Sequence, residues 1–260
     1  MSDALQLDKR QRAMLAEMGV RVWTPIQEHA PLRETYENLV VAKIAQTANN
    51  LDWPSLREAV ACCQACGLCA SRRHTVFGTG LHASNSDANN DIQPVDWLIV
   101  GEAPGENEDA VGEPFLGQAG QLLDNMLRAM QLSRTGELSN TTKPAQSIFI
   151  TNVLKCRPPG NRNPAPEEVA QCMPYLERQI ALLQPKIIFA MGRFAAQALL
   201  RDSIDKVDTI PLGKLRGQVH RMGNTPVVVT YHPAYVLRNL PEKAKLWADA
   251  CLAMATLNQP

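Results

Sequence analysis

Neither sign of charge is in surplus: 26 Lys and Arg face 26 Asp and Glu over 260 residues, for a formal net charge of zero. The bulk composition therefore carries no electrostatic footprint for a polyanion, and any such contact has to come from a local patch. The chain has no apolar run of about 18 residues, the length a membrane span requires. It also lacks a basic n-region leading into an apolar h-region, the mark of a secretory leader. These absences predict an intracellular, cytoplasmic protein with no membrane contact. A reducing compartment argues against disulfides for the seven cysteines. Several of them crowd into Cys62-Cys63-Gln64-Ala65-Cys66-Gly67-Leu68-Cys69, which favours metal.

The length suits one domain of about 200 residues plus an extension. Residues 1–50 read as that extension. Leu5 to Met18 has helical spacing with Lys9, Arg10 and Arg12 outward, and Val20-Arg21-Val22-Trp23 reads as a short strand. Nothing there carries chemistry, so a packing or docking appendage is expected. Residues 51–260 form the main domain, opening at Trp53-Pro54-Ser55 with Ser55 as helix N-cap. Residues 82–94 are polar and turn-rich, the composition of an exposed loop.

The organising stretch runs from Val95 to Gly120. Trp97 to Val100 reads as a buried strand that stops at Gly101, and Pro104-Gly105 forces a turn. Apolar spacing from Leu122 to Met130 then predicts a helix. Strand signals recur at Ser147–Lys155, Lys186–Met191 and Pro226–Tyr231, with helices at Pro166–Leu183, Phe194–Leu200 and Glu242–Leu257. No internal repeat is visible. The alternation predicts an α/β fold, a three-layer α/β/α sandwich on a central, mostly parallel four-stranded sheet.

Each predicted strand ends in unusual residues. They are Gly101-Glu102-Ala103-Pro104-Gly105, then Thr151-Asn152, then Gly192-Arg193, and finally Tyr231-His232-Pro233. In a parallel sheet all of these gather at the carboxyl edge, where such folds bind ligands. Packing alone gives no reason for Glu, Asn and His to converge there. Separately, Cys63-x2-Cys66 and Cys156-x15-Cys172 make two cysteine pairs. Four thiolates suit zinc or an iron–sulfur cluster, and spacing does not choose between them.

In combination these motifs resemble the family 4 uracil-DNA glycosylases, the iron–sulfur branch of that superfamily. The resemblance covers about residue 55 to the end. It rests on Cys63-x2-Cys66, Val-Gly-Glu-Ala-Pro-Gly-x2-Glu-Asp, Pro-Phe-x-Gly-x-Ala-Gly, Ile-Thr-Asn-x2-Lys-Cys-Arg-Pro-Pro and His-Pro-Ala-Tyr-x-Leu-Arg. It implies a uracil-DNA glycosylase fold, and a [4Fe–4S] cluster on Cys63, Cys66, Cys156 and Cys172, with Cys69 outside the ligand set. The implied partner is uracil-containing DNA, single- or double-stranded, and the implied state a monomer.

The same resemblance makes Phe115 a stacking wall, Asn152 the reader of the uracil edge, and Gly101 and Ala103 parts of the substrate pocket. His232 is the expected donor to the leaving base. Better-known relatives carry an Asp where this chain has Ala103, so the water-placing group is Glu102, or Glu108 with Asn161 as its hydrogen-bond partner. Leu237 is the expected wedge and Arg238 a phosphate contact, and the backbone N–H groups of Gly192 and Arg193 could add another. Lys155, Arg157, Arg162, Lys214 and Arg216 are candidates for the basic edge. The competing reading is a metal-stabilised nucleic-acid-binding module without catalysis. A relative that attacks the sugar through a side chain and stays bound is disfavoured, because the loop from Cys156 to Pro166 holds no His.

Overall fold

Apolar runs unbroken by polar residues demand cover on both faces, so strands built from them lie inside a sheet. A computed structural model describes residues 9–19, 44, 48–80, 94–135 and 146–258, in two compact units divided between Glu37 and Asn38. The first holds helix α1, Lys9–Glu17. The second begins with α2 (Trp53–Ala61), β1 (Thr79–Gly80), β2 (Trp97–Gly101), α3 (Glu106–Val111), α4 (Gln118–Ala129) and β3 (Ile148–Asn152). It continues through α5 (Pro166–Leu183), β4 (Ile187–Met191), α6 (Arg193–Leu200), α7 (Leu212–Leu215) and β5 (Val219–Met222). It closes with β6 (Thr225–Thr230), α8 (Pro233–Arg238) and α9 (Lys243–Leu257). The expected strand at Val20–Trp23, and all but Pro94 of the expected loop at 82–94, lie outside the described residues.

The sheet order is β1-β3-β2-β4-β6-β5. The inner strands β3, β2, β4 and β6 are parallel and are the ones expected. The sheet is wider than predicted because antiparallel β1 and β5 add an edge on each side. Both escaped the sequence reading for physical reasons. Thr79–Gly80 is too short to show a period, and β5, Val-His-Arg-Met, alternates exposed with half-buried residues.

Alternate residues of the inner strands feed two cores. Leu98, Val100, Phe149, Ile188 and Val229 pack with residues of α2, α5 and α6, while Ile44 and Ala48 also join that core. Trp97, Ile99, Ile150, Phe189 and Val228 pack with residues of α4, α8 and α9. Two faces, each covered by helices, make the three layers. Truncating a fully buried ring such as Phe189 costs about 3–5 kcal/mol in comparable cores.

Local signals explain the helix starts. Asp52, not Ser55, caps α2: its carboxylate accepts from the Ser55 N–H at 3.0 Å. Pro166 occupies the first turn of α5, where a missing N–H is harmless. Register then does the functional work. Gly101 lies beside Asn152, and Met191 beside Thr230, so the residues after each strand emerge at one edge.

Candidate active site and a cysteine-lined cavity

At that edge Gly101 leaves room that a side chain would fill. A Cβ there would collide with Asn152 Oδ1 and reach within 2.5 Å of Phe115 Cζ. Asn152 is 1 % exposed, and its Oδ1 is a buried oxygen with no hydrogen-bond partner. Leaving such a group unpaired costs about 1–3 kcal/mol. The fold bears that cost at the floor of a cavity of about 750 Å³, lined among others by Glu102, Ala103, Phe115, Asn152 and His232.

Phe115 reaches the cavity by a strained backbone, φ 58°, a conformation that costs a non-glycine residue roughly 1–2 kcal/mol. The surroundings enforce it. Arg134 donates to Pro114 O at 2.7 Å and Phe115 O at 2.9 Å, and its Nε is held by Asp124 at 2.6 Å. Gly120 must lack a Cβ, which would overlap the Phe115 carbonyl. The Phe115 ring lies near-parallel to His232, centroids 5.7 Å apart and planes 27° apart.

His232 caps α8, with Nδ1 accepting from the Ala234 N–H at 3.2 Å. A nitrogen that accepts from a backbone N–H is unprotonated, so neutral His232 carries its proton on Nε2. Burial, aided by the Arg238 charge and opposed by Glu108, pulls its pKa down to about 4. The ring is therefore neutral at pH 7. Burial also raises the Glu102 pKa above the usual carboxylate value.

Glu108 and Asn161 share the cavity wall, but the expected pairing between them gives way to other partners. Glu108 accepts from Gly105 N at 3.0 Å, Leu116 N at 2.9 Å and Gly117 N at 3.4 Å, tying the two glycine turns together. Asn161 Oδ1 instead accepts from Arg157 Nε at 2.7 Å.

The groove residues divide. Arg193 and Arg238 line the cavity and are exposed, whereas Leu237 is half-buried beside it. Gly192 does not offer its N–H to a phosphate, because that group donates to Thr230 O at 2.8 Å. A Cβ at Gly192 would come within 3.1 Å of His232 Cβ, so its role is to let the histidine approach. Much of the expected basic edge is committed elsewhere. Arg162 pairs with Glu168 at 2.6 Å and Arg216 with buried Asp249 at 2.9 Å. Lys155 is 1 % exposed, its ammonium donating to Thr151 Oγ1, Asn152 O and Gln179 Oε1 at 2.6–2.8 Å.

Beneath this edge Cys63, Cys66, Cys69, Cys156 and Cys172 line a second cavity with Arg72. Exposed Cys62 and Cys251 are not part of that lining. Arg72 donates to Cys63 O at 2.7 Å and Cys156 Sγ at 3.4 Å, and the Lys155 N–H to Cys172 Sγ at 3.3 Å. Burial raises the Cys66 and Cys156 thiols and pushes Cys172 up to about 12. Among the described residues no group of three or more His, Cys, Asp or Glu is gathered to hold a single metal ion. Five cysteines thus line one cavity.

The profile of the Uracil DNA glycosylase superfamily matches residues 90–253. The type-4 uracil-DNA glycosylase of Archaeoglobus fulgidus is 38 % identical over 179 residues, 67 % of this chain and 78 % of that protein. That of Saccharolobus solfataricus is 38 % identical over 206 residues, 77 % of this chain and 83 % of the relative. The chain belongs to the type-4 uracil-DNA glycosylase family. The type-4 enzyme of Thermotoga maritima is also similar, 37 % identical over 183 residues, 70 % of this chain and 81 % of the relative. The superfamily match takes in the glycine turns, Asn152, the second cysteine pair and His232. One framing residue, Arg134, sits in no motif and escaped the sequence reading. Lys155 was expected at the basic edge, but Thr151, Asn152 and, from α5, Gln179 enclose its ammonium.

Proposed function

We propose that this type-4 family member is a DNA repair glycosylase that flips uracil out of DNA and hydrolyses its N-glycosidic bond, leaving an abasic site. The observation that carries the reading is the buried Asn152 carboxamide, whose Oδ1 has no partner, in the cavity that Phe115 and His232 also line. Uracil presents a donor at N3 and an acceptor at O4, which an amide oxygen and an amide N–H match together. Cytosine presents the reverse pair, so the same amide would leave two buried groups unpaired. Flipping costs a few kcal/mol of lost stacking, which the Phe115 ring offsets by stacking on the base, with Gly101 and Ala103 leaving it room.

Bond cleavage moves the C1′–N1 electron pair onto the base and leaves an oxocarbenium-like sugar. His232, neutral and protonated on Nε2, donates to uracil O2 as that anion forms. Glu102 places the water that adds to C1′ and takes up its proton. Asn161 assists, and Glu108 contributes by fixing the turns on either side. Arg193 and Arg238 contact phosphates, Leu237 wedges into the vacated stack, and Gly192 shapes the pocket without an N–H to spare. Residues 51–260 form the glycosylase domain, joined in its core by Ile44 and Ala48, residues 1–37 are an extension without a chemical role, and the protein acts as a cytoplasmic monomer.

Cys63, Cys66, Cys156 and Cys172 would hold a [4Fe–4S] cluster. Sulfurs spread around a cavity fit a multi-iron group better than zinc, which needs four ligands about 2.3 Å from one point. Thiols that burial keeps protonated here would have to lose their protons to ligate. Bound, the cluster supplies a cross-link between the two halves of the cysteine framework.

The test is release of free uracil from a single-stranded oligonucleotide, run beside a visible spectrum of the purified protein. Uracil release with none of cytosine or thymine is expected. Tight binding to uracil DNA without base release would sustain the competing binding-module reading instead.

A further inference from the structure

We infer that Tyr235 is a stacking platform for the nucleobase that neighbours the uracil on the same strand, one that stays outside the recognition pocket. This rests on the proposed function and adds a second base-binding subsite to it.

The subsite is built from the inside out. Asp249, 1 % exposed, accepts from Thr230 Oγ1 at 2.8 Å and holds the Arg216 guanidinium at 2.9 and 3.0 Å. Arg216 also donates to Lys245 O at 2.8 Å, so its plane is fixed at several points. That guanidinium lies 5.2 Å from the centre of the Tyr231 ring, within cation–π range. Tyr231 packs partly into the core and meets Tyr235, centroids 5.0 Å apart and planes tilted by 35°. Tyr235 is held at its backbone too: its N–H donates to His232 O at 2.9 Å and its carbonyl accepts from the Asn239 side chain at 3.0 Å.

A line of anchored contacts thus runs from a buried carboxylate to a ring that is 39 % exposed. The exposed end needs an explanation that core packing does not supply. Tyr231, His232, Tyr235 and Arg238 all border the cavity that holds Asn152, so the platform is continuous with the uracil pocket. Tyr235 lies about one turn beyond His232, the N-cap of α8, on the same cavity. An aromatic face accepts any base, since every base has a π-face. That indifference suits an enzyme whose target occurs beside all four neighbours. A tyrosine side chain has few rotatable bonds, and this one already packs on Tyr231, which limits the entropy lost on binding.

The test uses single-stranded oligonucleotides carrying 2′-fluoro-2′-deoxyuridine, whose glycosidic bond resists cleavage because the fluorine destabilises an oxocarbenium-like state. A fluorescent 2-aminopurine sits 5′ to the uracil in one and 3′ in another. Wild-type protein should quench the probe on one side. Tyr235→Ala should abolish that quenching and weaken binding about tenfold, within the range for loss of one base–aromatic stack. Tyr235→Phe, which keeps the ring, should retain both. Wild-type quenching and affinity in Tyr235→Ala would overturn the platform, as would Tyr235→Phe falling as far as Ala. Uracil release by the wild type, measured on an unmodified oligonucleotide, separates the two readings. An active wild type with an idle Tyr235 removes the platform alone, whereas an inactive one removes the proposed function and the platform with it.

Discussion

Removing the His232 imidazole should slow base release more than any single change to the water-placing groups. The structure gives the reason. His232 is neutral at pH 7, its Nδ1 is occupied by the Ala234 N–H, and Nε2–H is the donor left for the base. An oxocarbenium-like transition state develops its negative charge on the departing uracil and engages water only loosely. One preorganised donor aimed at a developing oxyanion is worth about 2.7–4 kcal/mol, a factor of roughly 10²–10³. His232→Ala should therefore lose about that much in single-turnover rate, read at saturating DNA so that weaker binding is not mistaken for slower chemistry. The pH profile supplies a second reading. With a folded pKa of about 4, His232 stays uncharged well into the acid range, so the acid limb of the rate belongs to Glu102. A base works only when deprotonated, and burial raises the Glu102 pKa, so the rate should fall at a higher pH than an ordinary carboxylate would give. Glu102→Gln should flatten that limb. A His232→Ala enzyme at near-full rate, with Glu102→Ala inactive, would refute the argument and make the carboxylate the principal catalyst.

Asn152→Asp should lose selectivity for uracil, because a carboxylate accepts hydrogen bonds at both oxygens and cannot donate to O4; unchanged release kinetics would remove Asn152 from the pocket. Gly101→Ala should displace the Asn152 amide and the Phe115 ring, both of which its Cβ would strike, so uracil release should drop sharply while the melting temperature changes little by comparison; an active variant would show that the pocket yields. Purified protein should be brown, and serine at Cys63, Cys66, Cys156 or Cys172 should bleach it and lower its thermal stability, whereas serine at Cys251 should do neither. A colourless protein with stoichiometric zinc would overturn the cluster while leaving its ligands in place.

The inner sheet was legible because Trp97–Val100, Ile148–Ile150, Ile187–Met191 and Val227–Val229 are apolar on both faces, a pattern that local sequence carries unaided. Parallel order by itself places Glu102, Asn152 and His232 at one edge. What short-range pattern does not hold is partnership across the fold. The N–H of Gly192 is taken by the Thr230 carbonyl and a Glu108 oxygen by the Leu116 N–H, whereas spacing carries only the local capping contact between Glu108 and the Gly105 N–H. Lys155 and Arg216 carry the same charges as their surface neighbours, yet one is enclosed by Thr151, Asn152 and Gln179 and the other locked to Asp249. Two of the Lys155 acceptors lie only three and four residues back, and it is Gln179 on α5 that completes the enclosure, while the carboxylate that holds Arg216 is 33 residues on. The pattern of residues along the chain thus settled the layers and the chemistry gathered at their edge, while tertiary packing alone decided which polar atoms there remain unpaired and able to meet a base.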